Sequence, residues 1–358
     1  MKLLIVIGTR PNFIKVTQFK RIAQEISGMQ IEIVHTGQHY DRSMAGVFFE
    51  QFGLTPDYYL NLKGSGAAAQ FGHMISDMGD LFNELKPDAV MVPGDVNSTL
   101  AGALAANRCN LPVFHLESGL RSFDREMPEE INRILVDQIS DKYFVTEESG
   151  LTHLHNEGLD LKSGVNEAHL VGNTMIDTIV AFDERIQASP IMDELRLKAK
   201  QFILMTMHRP SNVDNLEGLQ FILDALIELT ARTTVVFPIH PRTKKRCEEL
   251  GIWDKFERLS NLVMTEPMDY FAFQQLIAHA FAVITDSGGI QEETTFRLVP
   301  CVTLRENTER PSTIDVGTNI LAPRSISVIT EAIDNPKSGS IPPLWDGNAT
   351  ARILEVLA

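Results

Sequence analysis

Continuous apolar runs recur along the chain, separated by longer segments with helical spacing. In the first half they are Leu3–Ile7, Ile31–His35, Ala89–Val92, Val113–Leu116 and Lys142–Val145. Runs this apolar suit strands buried on both faces, so the pattern predicts a parallel sheet covered by helices. After His169-Leu170-Val171-Gly172-Asn173 the pattern begins again, with Phe202–Met205, Thr234–Pro238, Leu262–Met264, Ala282–Thr285 and Pro300–Thr303. A chain of 358 residues also exceeds what one ordinary core accommodates. The expected fold is α/β, with two Rossmann-like domains, each a parallel sheet flanked by helices. The first is expected over 1–172 and the second over 173–340. A final helical segment, 341–358, is expected to cross back to the first.

Composition narrows the chemistry. Hydrophobic residues at 44% and charged residues at 22% are those of a globular protein. The net charge is −15 and the basic residues form no stripe, so the electrostatic footprint of a nucleic-acid binder is missing. An anionic ligand would need a local pocket of cations or backbone amides. Cys109, Cys247 and Cys301 stand singly, which argues against a disulfide framework and a thiolate zinc site. The opening apolar run meets Gly8-Thr9-Arg10-Pro11 too soon for a signal peptide, and no stretch reaches the ~18–20 apolar residues of a membrane span. A reducing cytoplasm is the expected setting.

Ligands of open α/β sheets bind at the carboxyl ends of the strands, and the unusual motifs lie there. The first strand runs into Gly8-Thr9-Arg10-Pro11-Asn12-Phe13-Ile14-Lys15, a glycine turn opening a helix with two cations, suited to phosphate. An ordinary strand-to-helix turn would look similar. The second strand ends in His35-Thr36-Gly37-Gln38-His39-Tyr40-Asp41, whose spacing matches a polar pocket wall better than a metal site. Asp95 follows the Ala89–Val92 strand, where it or Ser98 could equally cap a helix. Glu117 follows the next strand, and Glu129 and Arg133 stand in Met127-Pro128-Glu129-Glu130-Ile131-Asn132-Arg133. Asp95, Glu117 and Glu129 are expected to converge at one sheet edge. Neighbouring carboxylates push their proton affinities apart, which general acid–base work needs. In the first turn of a helix, Glu129 and Glu130 would also simply suit the macrodipole.

In the second half, His208-Arg209 follows Phe202–Met205 and sets a titratable donor beside a permanent cation, apt for a diphosphate. The strongest signal is Asp286-Ser287-Gly288-Gly289-Ile290-Gln291-Glu292-Glu293. Amides at such a helix start can bind phosphate, the glycines allow close approach, and a carboxylate further along can reach ribose hydroxyls. Thr308-Glu309-Arg310-Pro311 adds a charged turn at the same edge.

Together these blocks resemble the UDP-N-acetylglucosamine 2-epimerases of bacteria and archaea, from Met1 to the last helix. The carrying motifs are GTRP with Lys15, GD at Asp95, E-x-GLR from Glu117, PEE-x-NR from Glu129, HR at 208–209, DSGGIQEE from Asp286 and TERP from Thr308. The resemblance implies a glycosyltransferase-B-like fold, a UDP-sugar in the interdomain cleft, no metal, no other cofactor and a homodimer. It implies a non-hydrolysing reaction: anti elimination of UDP with loss of the C-2 proton, then re-addition to the 2-acetamidoglucal. By matching position, Asp95, Glu117 and Glu129 are the acid–base candidates, with His208 beside the leaving group. Arg10, Lys15, Arg133, Arg209, Ser287, Gly288, Gly289, Glu293 and Arg310 are the substrate-binding candidates.

The chain departs from the family pattern at Asn12, Ser118 and Pro210-Ser211, and Asp41 stands where the family's allosteric segment has glutamine. The His35–Asp41 and Arg121-Ser122-Phe123-Asp124 stretches also resemble members acting on UDP-2,3-diacetamido-glucuronic acid. A hydrolysing 2-epimerase that releases N-acetylmannosamine, a glycosyltransferase on the same architecture and a non-enzymatic UDP-sugar sensor are the rival readings.

Overall fold

With few polar positions, the run Leu3–Ile7 has no face to present to water, and it forms the inner strand β1 (Lys2–Ile7). The computed structural model describes residues 1–26, 28–38, 49–159 and 167–358. Beside β1 lie β2 (Gln30–His35) and β4 (Ala89–Pro93), and β3 (Tyr58–Tyr59) closes that edge. On the other side follow β5 (Val113–Ser118), β6 (Lys142–Val145) and β7 (Glu167–Leu170). Every pairing in the order β3-β2-β1-β4-β5-β6-β7 is parallel. Parallel strands need crossovers, supplied here by helices such as Asn97–Arg108 and Pro128–Ile139.

The second sheet joins β8 (Phe202–Thr206), β9 (Thr234–Pro238), β10 (Leu262–Thr265), β11 (Ala282–Thr285), β12 (Cys301–Thr303) and β13 (Asn319–Leu321). Its order is β10-β9-β8-β11-β12-β13, again all parallel. The expected α/β class and its two parallel sheets are thus found. Each sheet has its own apolar cores: Leu4, Val6, Val90 and Val92 meet Met74, Met78 and Phe82 in the first, and Ile203, Met205 and Ile284 meet Leu219, Ile222 and Leu223 in the second.

The chain divides into two compact units, 1–181 with 343–358, and 182–342. The helix Thr174–Ala181 belongs to the first unit, where Thr178 Oγ1 donates to the Ile14 carbonyl at 2.6 Å. The last helix, Ala349–Leu357, joins it there: its Ala349 and Thr350 amides donate to the buried Asp177 carboxylate at 3.1 and 2.6 Å. Among the described residues no helix is long and apolar enough to cross a membrane.

Candidate functional site

In the first unit several of the candidate side chains lie where β1, β4 and β5 end. After β1 the helix Arg10–Val16 begins with Pro11 in its first turn, its fixed φ suiting that position. Asn12 is buried, accepting from Thr9 Oγ1 and donating through Nδ2 to the Pro93 carbonyl, each at 3.0 Å. This anchors the helix to the end of β4. One turn on, the buried Lys15 ammonium bonds the buried Glu117 carboxylate, while Arg10 at the helix start is exposed.

Gly94 makes that closeness possible. Its φ is +68°, and a Cβ there would lie 2.9 Å from Lys15 Nζ and 3.2 Å from Glu117 Oε2. Glu117 itself lies where the β5–β6 register slips between Leu116 and Ser118, with φ +72°. For a side chain larger than glycine's that conformation costs about 1–2 kcal/mol, so surrounding contacts must hold it. Next to Gly94, Asp95 bonds Arg133 through its carboxylate and accepts from Asn132 Nδ2 through its carbonyl at 2.8 Å.

The structure brings Asp95 and Glu117 to one turn, but it leaves Glu129 exposed on the first turn of the helix Pro128–Ile139. The neighbouring Glu130 points inward instead. It accepts from Ser122 N at 2.9 Å, Ser122 Oγ at 2.8 Å and Phe123 N at 2.9 Å, and it bonds Arg133. Behind this lies a second buried set in which Asp137 pairs with His115 and Arg121. Glu130 and Asp137 are absent from the sequence-based site. The available signal was the i, i+3, i+7 spacing of Glu130, Arg133 and Asp137, a polar stripe on the buried face of one helix.

In the second unit Asp286 organises the loops. It is fully buried at the end of β11, beside β8, and accepts from the amides of His208 and Arg209, from Asn212 Nδ2 at 2.9 Å and from His208 Nδ1 at 2.8 Å. Burial alone would raise its carboxyl, but these donors hold it below the usual range. The His208 ring stays largely exposed, and Arg209 Nε returns a bond to the Asp286 carbonyl at 3.0 Å. The helix Gly288–Phe296 starts after Ser287, whose side chain makes no cap bond to it.

A Cβ on Gly288 would sit 2.6 Å from Glu309 Oε1, so the TERP turn packs directly on that helix start. Arg310 bonds Glu309 at 2.5 Å and Glu292 at 2.8 Å, and Arg305 bonds Glu309 at 2.7 Å. Glu293 is buried further along, and burial pushes its carboxyl up to about 7, against the pull of a Gln274 hydrogen bond and Arg297. The residues His39, Tyr40 and Asp41 lie outside the described residues. Gln38 is described, and its Oε1 accepts from Ser98 N at 2.9 Å and from Ser98 Oγ at 2.6 Å.

Each cluster therefore has a distinct capacity: paired carboxylates and cations in the first unit, a glycine-opened helix start with a rim of charges in the second. Residues 21–358 match the protein family described as UDP-N-acetylglucosamine 2-epimerase. The UDP-N-acetylglucosamine 2-epimerase of Methanocaldococcus jannaschii is 39% identical over 372 residues, covering 100% of this chain and 99% of that protein. The UDP-2,3-diacetamido-2,3-dideoxy-D-glucuronate 2-epimerase of Pseudomonas aeruginosa is 40% identical over 367 residues, covering 100% and 99%. A crystal structure of the M. jannaschii UDP-GlcNAc 2-epimerase in complex with UDP-GlcNAc and UDP matches with a TM-score of 0.90 at 38% identity, covering 100% of this chain and 99% of that one. Fold and sequence agree along the whole length, and the chain belongs to the UDP-N-acetylglucosamine 2-epimerase family, an epimerase of glycosyltransferase-B-like fold.

Proposed function

We propose that this chain is a non-hydrolysing UDP-N-acetylglucosamine 2-epimerase, interconverting UDP-GlcNAc and UDP-ManNAc. The second-unit cluster takes the UDP portion, with Ser287, Gly288 and Gly289 offering helix-start amides to the diphosphate and His208, Arg209 and Arg310 around it. Glu293 takes the ribose hydroxyls. Asp95, Glu117 and Glu129 are the acid–base candidates, with Arg10, Lys15 and Arg133 holding negative charge. A carboxylate removes the C-2 proton, and the electron pair of the C-2–H bond forms the C-1–C-2 double bond. The C-1–oxygen bond breaks, and UDP departs with the electron pair of that C–O bond. Re-addition of UDP to C-1, with the proton returned on the other face of C-2, gives the epimer.

The observation that carries this reading is the Gly94–Asp95 turn, where the Arg133-bound Asp95 carboxylate and the Lys15-bound Glu117 carboxylate are held beside one backbone. Incubation with UDP-GlcNAc in deuterated water, read by NMR, tests it. Deuterium entering C-2 with both UDP-sugar epimers present is expected. Free N-acetylmannosamine accumulating in step with UDP would overturn the non-hydrolysing outcome. The equally similar P. aeruginosa relative favours a second substrate, UDP-2,3-diacetamido-glucuronic acid. The same incubation with that sugar separates the two by which one exchanges its C-2 hydrogen.

A further inference from the structure

His115 lies third in β5, fully buried, with a partner at each ring nitrogen. Nε2 is 2.8 Å from the Gly94 carbonyl oxygen and Nδ1 is 2.6 Å from Asp137 Oδ1. A carbonyl oxygen only accepts, so Nε2 carries hydrogen. Asp137 Oδ2 accepts from Arg121 Nη1 at 2.7 Å and from Gly119 N at 3.2 Å. Burial would raise the Asp137 carboxyl, but His115 and Arg121 hold it below its ordinary value. One hydrogen lies between Nδ1 and Asp137 Oδ1, so the ring links the Gly94 carbonyl to the Asp137 carboxyl. Arg121 is closed on its far side by Glu157, through Nε and Nη2 at 2.8 Å each. The four side chains His115, Asp137, Arg121 and Glu157 thus balance in charge.

Stability alone gives little reason for such a set. A buried ionic network replaced by apolar groups of equal volume often loses nothing, because desolvation offsets the Coulomb gain. What this network grips is backbone at the two loops that carry the carboxylates. The Gly94 carbonyl immediately precedes Asp95, and the Gly119 amide lies two residues beyond Glu117. All three turn positions are left-handed, with φ of +68° at Gly94, +72° at Glu117 and +77° at Gly119. Glycine takes that conformation freely, but at Glu117 it is strained and persists because surrounding bonds over-determine it.

We propose that His115 and Asp137 are positioning residues, the His115 ring tying the Gly94–Asp95 turn to Asp137 while Asp137 fixes the Glu117–Gly119 turn. The proposal rests on the reading that Asp95 and Glu117 perform the acid–base steps. Two substitutions separate the ends of the ring. The amide of His115→Asn stands where Nδ1 stood, keeping Asp137 satisfied and releasing Gly94. The amide of His115→Gln reaches the place of Nε2, keeping Gly94 and releasing Asp137.

The test uses the full chain and whichever of the two UDP-sugars it epimerises, with Asp95→Asn and Glu117→Gln as controls. The melting temperature, UDP affinity by calorimetry, KM and kcat are measured together. Misplacement of a reacting group costs on the order of 100-fold in rate, so His115→Asn is expected to lose about that in kcat and His115→Gln less than about 10-fold. KM, UDP affinity and the fall in melting temperature are expected to be alike in both. Equal kcat in the two variants, or losses that follow melting temperature alone, would overturn the positioning role. Full turnover in both controls would instead overturn the acid–base reading, whatever the His115 variants do.

Discussion

The Lys15 ammonium and the Glu117 carboxylate, 102 residues apart in the chain, form an ion pair buried on both sides, with the Gly94 backbone packed against it. Such a pair is sensitive to the loss of one member, since the survivor keeps its desolvation penalty without the opposing charge. Lys15→Met is expected to destabilise the first unit by about 3–5 kcal/mol, read by urea unfolding. The double change Lys15→Met with Glu117→Leu is expected to recover most of that stability while remaining inactive. Recovery of turnover in the double variant would remove the pair from the chemistry.

Adjacent glutamates on the helix Pro128–Ile139 are expected to behave differently. Glu130→Gln weakens four bonds that reach Ser122, Phe123 and Arg133, and a loss of about 3 kcal/mol is expected because the surviving Arg133 is buried. Glu129 is exposed, so Glu129→Gln is expected to stay within about 0.5 kcal/mol of the unmodified chain. A kcat loss of about 100-fold in Glu129→Gln would then report on chemistry rather than folding. Unchanged turnover would take Glu129 out of the acid–base set.

Glu293 sets a pH dependence of known sign. Its folded carboxyl stands at about 7 against an ordinary 4.5, so between those values the folded chain holds a proton that the unfolded chain has released. The group's contribution is fully present below 4.5 and is lost as pH rises through 7. Relative to the unmodified chain, Glu293→Gln is expected to gain about 3 kcal/mol of stability on going from acid to alkaline pH. Denaturant unfolding at pH 4.5, 6 and 8 measures the gap, and a gap that is constant across the series contradicts the assignment.

The apolar runs made both parallel sheets legible, because a strand buried on two faces leaves a nearly unbroken hydrophobic signature. The strands Tyr58–Tyr59, Glu167–Leu170 and Asn319–Leu321 escaped it, being short edge strands or carrying polar residues. Glycine, proline and charge at strand-to-helix turns marked the candidate site, although ordinary turns and helix starts use the same residues.

Partner choice was another matter. The DSGG segment read as a phosphate seat, yet only the pairing of β11 with β8 sets Asp286 under the His208 and Arg209 amides. Likewise two neighbouring glutamates are equivalent as letters, and helix rotation against the sheet decided that Glu130 enters the ion network while Glu129 faces water. Sequence alone therefore determined the sheet class and the position of the strand-end turns, since those follow from local hydrophobicity and backbone freedom. The tertiary structure decided which charges meet, because ion pairing and burial depend on residues far apart along the chain, such as Lys15 with Glu117 and His115 with Asp137.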